Sequence, residues 1–168
     1  MSWKKYLTDY AWLIGGAFIV VLLDQSTKYW VRSALTYGEI YLPDLWITRY
    51  ARIMHWGNTG GAGRVMQGMG NVFSALTVVV AIAILYYFPQ LPRQDRLLRL
   101  ALILQLGGAT GNLIDRLRLG YVVDFISIGT LPVLNLADVS LITGIAILVV
   151  TVWLRQRHEK ETPNVTGT

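Results

Sequence analysis

Four long runs nearly free of charge constrain this chain more than anything else in it: Ala11 to Val31, Val72 to Phe88, Leu97 to Ile114 and Leu134 to Leu154. About 20 apolar residues, rising 1.5 Å each as a helix, cross the roughly 30 Å of hydrocarbon in a bilayer. Only helices and closed barrels satisfy every backbone N–H and C=O there. Apolar side chains make up 54% of the 168 residues and charged ones 15%, with mean hydropathy +0.45. That is far more apolar than a soluble domain of this size. The chain is therefore predicted to be mostly α and integral to a membrane.

The runs set the organisation. Helices are expected at about 11–31, 71–88, 97–115 and 134–154 in a single domain spanning 1–154, followed by a polar, disordered tail at 155–168. The first run resembles the start of a secretory signal, but no small-x-small cleavage site follows, so it reads as a retained helix. Its interruption, Asp24 to Lys28, places an acid and a base four apart on one face, enough for a local ion pair. Pro89 and Pro92 stop the second run. Gly107 and Gly111 in the third allow close backbone approach between membrane helices.

Between the first two helices, about 33–70, the pattern changes. Partial alternation of apolar and polar residues from Leu45 to Trp56 suggests short strands with one wet face. Tyr37, Tyr41, Trp46, Tyr50 and Trp56 suit a platform at the membrane interface. The glycine-rich stretch Asn58 to Gly63 then reads as a turn, since it lacks the lysine of a phosphate loop.

Four spans leave both termini on one side. Eight of the 15 Lys and Arg residues fall on that side (Lys4, Lys5, Arg93, Arg96, Arg99, Arg155, Arg157 and Lys160) and seven on the other. Lys4 and Lys5 flank the first helix and decide the expectation: termini cytoplasmic, platform outside. The net charge of +5 has no basic run interleaved with aromatics, which argues against nucleic acid and for contact with lipid headgroups. With no cysteine there is no thiol nucleophile, disulfide or thiolate metal site.

The polar residues of the runs point to chemistry. Asp115, Asp124 and Asp138 lie beside the third and fourth runs, with Asn112, Arg116 and Asn135 among them. Carboxylates at membrane helix ends are costly and mark functional sites. Asp138 is expected only roughly 5 Å inside the start of the fourth helix, and Asp115 at the matching end of the third. Gly108, Asn112 and Asp115 or Arg116 share one stripe at helical spacing. Acids at the membrane surface suit a reaction on a lipid-embedded substrate better than transport, which needs them near mid-membrane. His55 and His158 fall on opposite sides, against a Ser-His-Asp triad. Ser26 and Lys28 point to different helix faces, although a Ser-Lys dyad assembled from distant parts of the chain stays open. Two aspartates sharing a proton supply acid and base together, and Asp124 and Asp138 are the best candidates for that pair.

The motifs GGATGNLIDR, VVDF and NLAD, preceded by DQSTK and NTGGAG, closely resemble those of the lipoprotein signal peptidases, or signal peptidase II. The resemblance runs from about Asp24 to Asp138. It implies a bacterial inner-membrane aspartic protease that cuts a prolipoprotein's signal peptide before a diacylglyceryl-modified cysteine. It also implies a monomer among membrane lipids, with its site at the extracytoplasmic surface and no cofactor or metal. Asp124 and Asp138 become the catalytic pair by this resemblance. Asn112, Asp115 and Arg116 support the site and substrate, Asn135 holds the pair's surroundings, and Asp24, Lys28 and Asn58 match further motif positions. The chain departs from the family at Gly61 and Gly63, where alanine and phenylalanine are usual, and at Leu134, where phenylalanine is usual; these positions bear on substrate fit. Three rivals stand beside this reading: a small proton-linked transporter, a non-enzymatic scaffold, and a hydrolase using Mg²⁺ on Asp115, Asp124 and Asp138.

Overall fold

The structure, a computed structural model, describes residues 3–41, 46, 50–59 and 69–161, with the side chains of 158–161 left aside. The elements follow as α1 (Trp3–Ala34), β1 (Ile40–Tyr41), β2 (Ala51–Asn58), α2 (Gly70–Tyr87), a 3-10 turn (Phe88–Gln90), α3 (Arg96–Leu119), β3 (Val122–Ile128) and α4 (Leu136–Glu161). All four α-helices are long and apolar enough to cross a membrane. The fold is thus the expected four-helix membrane bundle with a small sheet.

Several boundaries differ from expectation. α1 begins a full two turns earlier than position 11, and α3 continues past Asp115 to Leu119, so Asp115 lies a turn inside the helix rather than at its end. The tail expected to be disordered from 155 instead extends α4 to Glu161. Part of the platform, including Pro43, Arg49 and the glycine-rich Gly60 to Arg64, falls outside the described residues, as does 162–168.

α3 sits at the centre and packs against the other three helices. Its glycines explain how. A methyl group on Gly107 would lie 2.5 Å from Val20 Cβ of α1, and one on Gly108 2.5 Å from the Ala137 carbonyl oxygen of α4. Without side chains at these points, backbones on both flanks approach within van der Waals contact. The large apolar side chains, among them Phe18, Leu22, Val79 and Val149, point outward where lipid solvates them.

Two apolar clusters bracket the polar residues. Leu13, Ala17, Ile84, Phe88 and Leu106 join α1, α2 and α3 toward the terminal end. Val31, Leu35 and Phe125 join α1 to the sheet at the other.

The sheet is antiparallel in the order β1-β2-β3. Its third strand comes from the connection between α3 and α4, which corrects the expectation of a platform built wholly between the first two helices. VVDF is β-branched and aromatic except for Asp124 and pairs along β2, with Trp56 opposite Asp124 and Asn58 opposite Val122. Tyr37 stacks on Trp56 at 5.7 Å, and the platform aromatics stay exposed as an interfacial belt requires.

Candidate active site

The site is built from the start of α4. Asn135 precedes the helix and Asp138 is its third residue. The Asn135 side-chain oxygen accepts the Asp138 backbone N–H at 2.8 Å, and Asp138 Oδ2 accepts the Asn135 backbone N–H at 3.2 Å. This is a reciprocal capping box, with Asn and Asp in place of the usual Ser or Thr and Glu. Asp138 therefore sits at the positive end of a helix, where a carboxylate is favoured.

Asp124 arrives from the sheet. Leu134 pairs with β3 through Phe125 N–H, Ile126 N–H and its own N–H, at 2.7–2.9 Å, which ties the strand to the residue before the α4 cap. Asn135 Nδ2 then donates to Asp124 Oδ1 at 2.7 Å, and Asn58 Nδ2 to Asp124 Oδ2 at 3.0 Å. The Asn58 contact depends on a bulge. Ile53 pairs with Ile126 but Trp56 with Asp124, so β2 carries one residue more than β3 over that interval. Without it, side-chain alternation would put Asn58 on the sheet face away from Asp124.

Asn112 of α3 completes the link. Its Nδ2 donates to Asp138 Oδ1 at 2.8 Å, while its Oδ1 accepts from Asn135 Nδ2 at 3.1 Å and from Lys28 Nζ at 2.9 Å. Asn112 and Asn135 thus join the two acids, each amide oriented by what it must donate to and accept from, while Asn58 holds Asp124 from the other side.

Beneath lies a second layer. The Lys28 ammonium reaches Asp24 Oδ2, Asp115 Oδ2 and Asn112 Oδ1, each at 2.9 Å, which uses all three of its donors. Asp24 Oδ1 accepts the Ala137 N–H of α4, and Asp115 Oδ2 the Val123 N–H of β3. Gln25 Nε2 bridges Asp24 Oδ2, the Gly111 carbonyl and Asp115 Oδ1. Asp24, Lys28 and Asp115 are all buried. The pair read locally along α1 is in fact a cross-helix anchor holding α4 and β3 against α1 and α3. This placement also uses up the Lys28 amine that a serine-lysine dyad would need.

Every candidate from the sequence lands here: Asn58, Asn112, Asp124, Asn135 and Asp138 in the upper network, Asp24, Lys28 and Asp115 in the lower, and Gly108 at the α3–α4 contact. Arg116 lies within electrostatic reach of Asp138, Asp115 and Asp124, with its guanidinium 5.8 Å from the Phe73 ring of α2. Gln25, Gly111 and the Val123 amide were not anticipated as site residues. Gln25 carried a signal, since an amide inside an apolar run needs a partner as a carboxylate does.

The electrostatics of Asp124 follow from its burial. Burial, and secondarily the nearby Asp138 charge, push the Asp124 carboxyl up to about 7, against the opposing hydrogen bonds from Asn58 and Asn135. Near neutrality Asp124 holds a proton for part of the time, whereas Asp138 rests on two N–H donors at a helix N-terminus. One acid and one base side by side can add water to an amide. Asp115 has both oxygens engaged by Lys28, Gln25 and Val123, and among the described residues no three acidic or histidine side chains converge as metal ligands. The three-aspartate magnesium site is therefore not favoured.

A model of the family described as signal peptidase (SPase) II matches residues 16–154. The chain belongs to the signal peptidase II family. Lipoprotein signal peptidases related to it include that of Moorella thermoacetica, 44% identical over 132 residues, covering 79% of this chain and 86% of the relative. That of Shouchella clausii is 37% identical over 146 residues, with 86% and 94% covered. A solved bacterial membrane enzyme superposes with a TM-score of 0.81 at 29% identity, over 90% of this chain and 93% of that one. Family membership makes this a multi-pass membrane peptidase of the aspartic class.

Proposed function

We propose that Asp124 and Asp138 are the catalytic pair with which this signal peptidase II removes the signal peptide from diacylglyceryl-modified prolipoproteins, cutting before the lipidated cysteine. One observation carries the assignment: two aspartates on separate elements, a strand and a helix N-terminus, are held by the same residue, Asn135, whose side chain donates to the Asp124 carboxyl and whose backbone N–H donates to the Asp138 carboxyl. Asp138, as the carboxylate, takes a proton from water as that water adds to the scissile carbonyl. Asp124, protonated, donates a hydrogen bond to the carbonyl oxygen and supports the tetrahedral intermediate. The proton gained by Asp138 passes to the amine as the C–N bond breaks. Arg116 has no carboxylate within ion-pair distance among the described residues, which suits it to a substrate carbonyl.

Lys4 and Lys5 in the first turn of α1 support cytoplasmic termini in a bacterial inner membrane, with the acids at the extracytoplasmic surface. The sheet covers them there, and the substrate's acyl chains stay in the bilayer while its cleavage site reaches the boundary. The site needs no residue from a second copy of the chain, and we propose a monomer acting without cofactor or metal. The decisive experiment incubates the purified protein with a diacylglyceryl precursor peptide. Cleavage before the cysteine is expected, abolished by either Asp124→Asn or Asp138→Asn. Turnover retained in either folded variant overturns the pair.

A further inference from the structure

At the end of the bundle opposite these acids, a groove of about 500 Å³ opens between α1 and α3. It shares Thr8, Trp12, Leu100 and Ile103 with a second groove of about 580 Å³ that continues along the same two helices past Gly15 and Ile19. From Thr8 to Ile19 is about 16 Å along a helix. That is the depth of one leaflet, roughly half of the 30 Å hydrocarbon core. Gly15 leaves the wall recessed, since a methyl group there would meet nothing within 4 Å, and the exposed Trp12 and Ile19 open toward the bilayer.

The mouth has a different chemistry from the rest. Arg93, Arg96 and Arg99 line it, facing one acid, the buried Asp9, whose Oδ1 takes Arg99 at 2.7 Å and Arg93 at 3.1 Å. Asp95, the other nearby acid among the described residues, is engaged by Arg155 at 2.6 Å and makes no side-chain cap to α3. Positive charge is therefore in excess, and the N-terminus of the 24-residue α3 adds to it. A cationic rim above an apolar channel one leaflet deep matches neither a peptide nor a soluble anion.

We propose that this groove binds one anionic glycerophospholipid of the leaflet at the terminal end, its phosphodiester on Arg93 and Arg96 and an acyl chain along Gly15 and Ile103. The site is independent of the peptidase chemistry at the other end.

The test is native mass spectrometry of the delipidated full-length protein titrated with phosphatidylglycerol and phosphatidylcholine of the same acyl chains. The wild type is expected to retain one phosphatidylglycerol in preference, on the order of tenfold. Arg96→Gln, at an exposed position, narrows that preference roughly fivefold. Gly15→Leu, at a position where a Cβ meets nothing within 4 Å, puts an apolar side chain into the channel and lowers retention of both lipids. Excess glycerol phosphate leaves the lipid in place. Equal retention of the two lipids by the wild type, a preference unchanged in Arg96→Gln, retention unchanged in Gly15→Leu, or displacement by glycerol phosphate would each overturn the proposal.

Discussion

Asn135 and Asp138 hold each other at the first turn of α4, each accepting the other's backbone N–H on a side-chain oxygen, at 2.8 and 3.2 Å. The opposite end of the Asn135 amide donates to Asp124 at 2.7 Å. One side chain therefore does two separable things: it caps a helix and sets the position of a carboxyl group on a neighbouring strand.

Substitution separates the two. Asn135→Ser keeps a good cap but is too short to reach Asp124. It also forfeits the Nδ2 contact to Asn112 at a fully buried position, so it should cost stability, though less than Asn135→Ala, while lowering kcat by about 100-fold or more. Asn135→Ala should lose both. Thermal unfolding in detergent beside peptide cleavage rates checks this; equal activity in the serine variant and the wild type would show that the Asp124 contact is dispensable.

The Asp124 carboxyl at about 7 predicts the alkaline limb of activity. As pH rises through about 7 the proton leaves Asp124, and kcat/KM should fall. The linked effect on stability has a definite sign. The folded value lies above the ordinary 3.8, so Asp124's contribution is fully present below about 3.8 and is lost as pH rises through about 7. Asp124→Asn should accordingly flatten the pH dependence of Tm between about 4 and 7. A cleavage rate still rising through pH 8 contradicts the acid role.

Lys28→Met removes the only cation that touches both Asp24 and Asp115 among the described residues, leaving two buried carboxylates without it. Breaking such an ion pair from one side costs about 3–5 kcal/mol. Expression and Tm should drop sharply, and Asp24→Asn combined with Asp115→Asn should restore part of the loss. If Lys28→Met unfolds at the wild-type temperature, the anchor is not a stabilising element.

Gly108→Ala drives a methyl group to 2.5 Å from the Ala137 carbonyl oxygen, one residue before Asp138. Neither backbone yields easily, so α4 should shift at its first turn, with activity falling about tenfold or more because catalytic geometry tolerates little displacement. Gly15→Ala, facing open space, serves as the comparison and should remain active. Matching cleavage rates in the two variants would remove the packing argument.

Substituting Arg116 tests its place beside the acids. Arg116→Gln should raise KM more than it lowers kcat, with Tm little changed, because the guanidinium is half-buried and has no carboxylate within ion-pair distance among the described residues. A large fall in Tm with KM unchanged would make it structural.

Much of this molecule was legible along the chain because a bilayer admits so few solutions. Four apolar runs had to be helices, and each polar residue interrupting them had to find a partner. That reasoning, with the family resemblance, reached Asp24, Lys28, Asn112, Asp115, Asn135 and Asp138. Where a partner would come from was not legible. Lys28 was paired correctly with its neighbour Asp24 but not with Asp115 on another helix, since helical spacing describes one helix and not the packing of two.

The strand role of Val122 to Ile128 was missed for the same reason. Strand partners are non-local, and β2 lies more than 60 residues earlier. The bulge that turns Asn58 toward Asp124 depends on the register between those strands, which no pattern within either one encodes. The sequence alone determined that this is a membrane bundle with costly acids in and beside its helices, because hydrocarbon thickness and the cost of buried charge act on any chain. Only the tertiary structure decided that Asp124 and Asp138 share one asparagine, because that depends on how closely α3's glycines let α4 approach and how β3 is tied beside it.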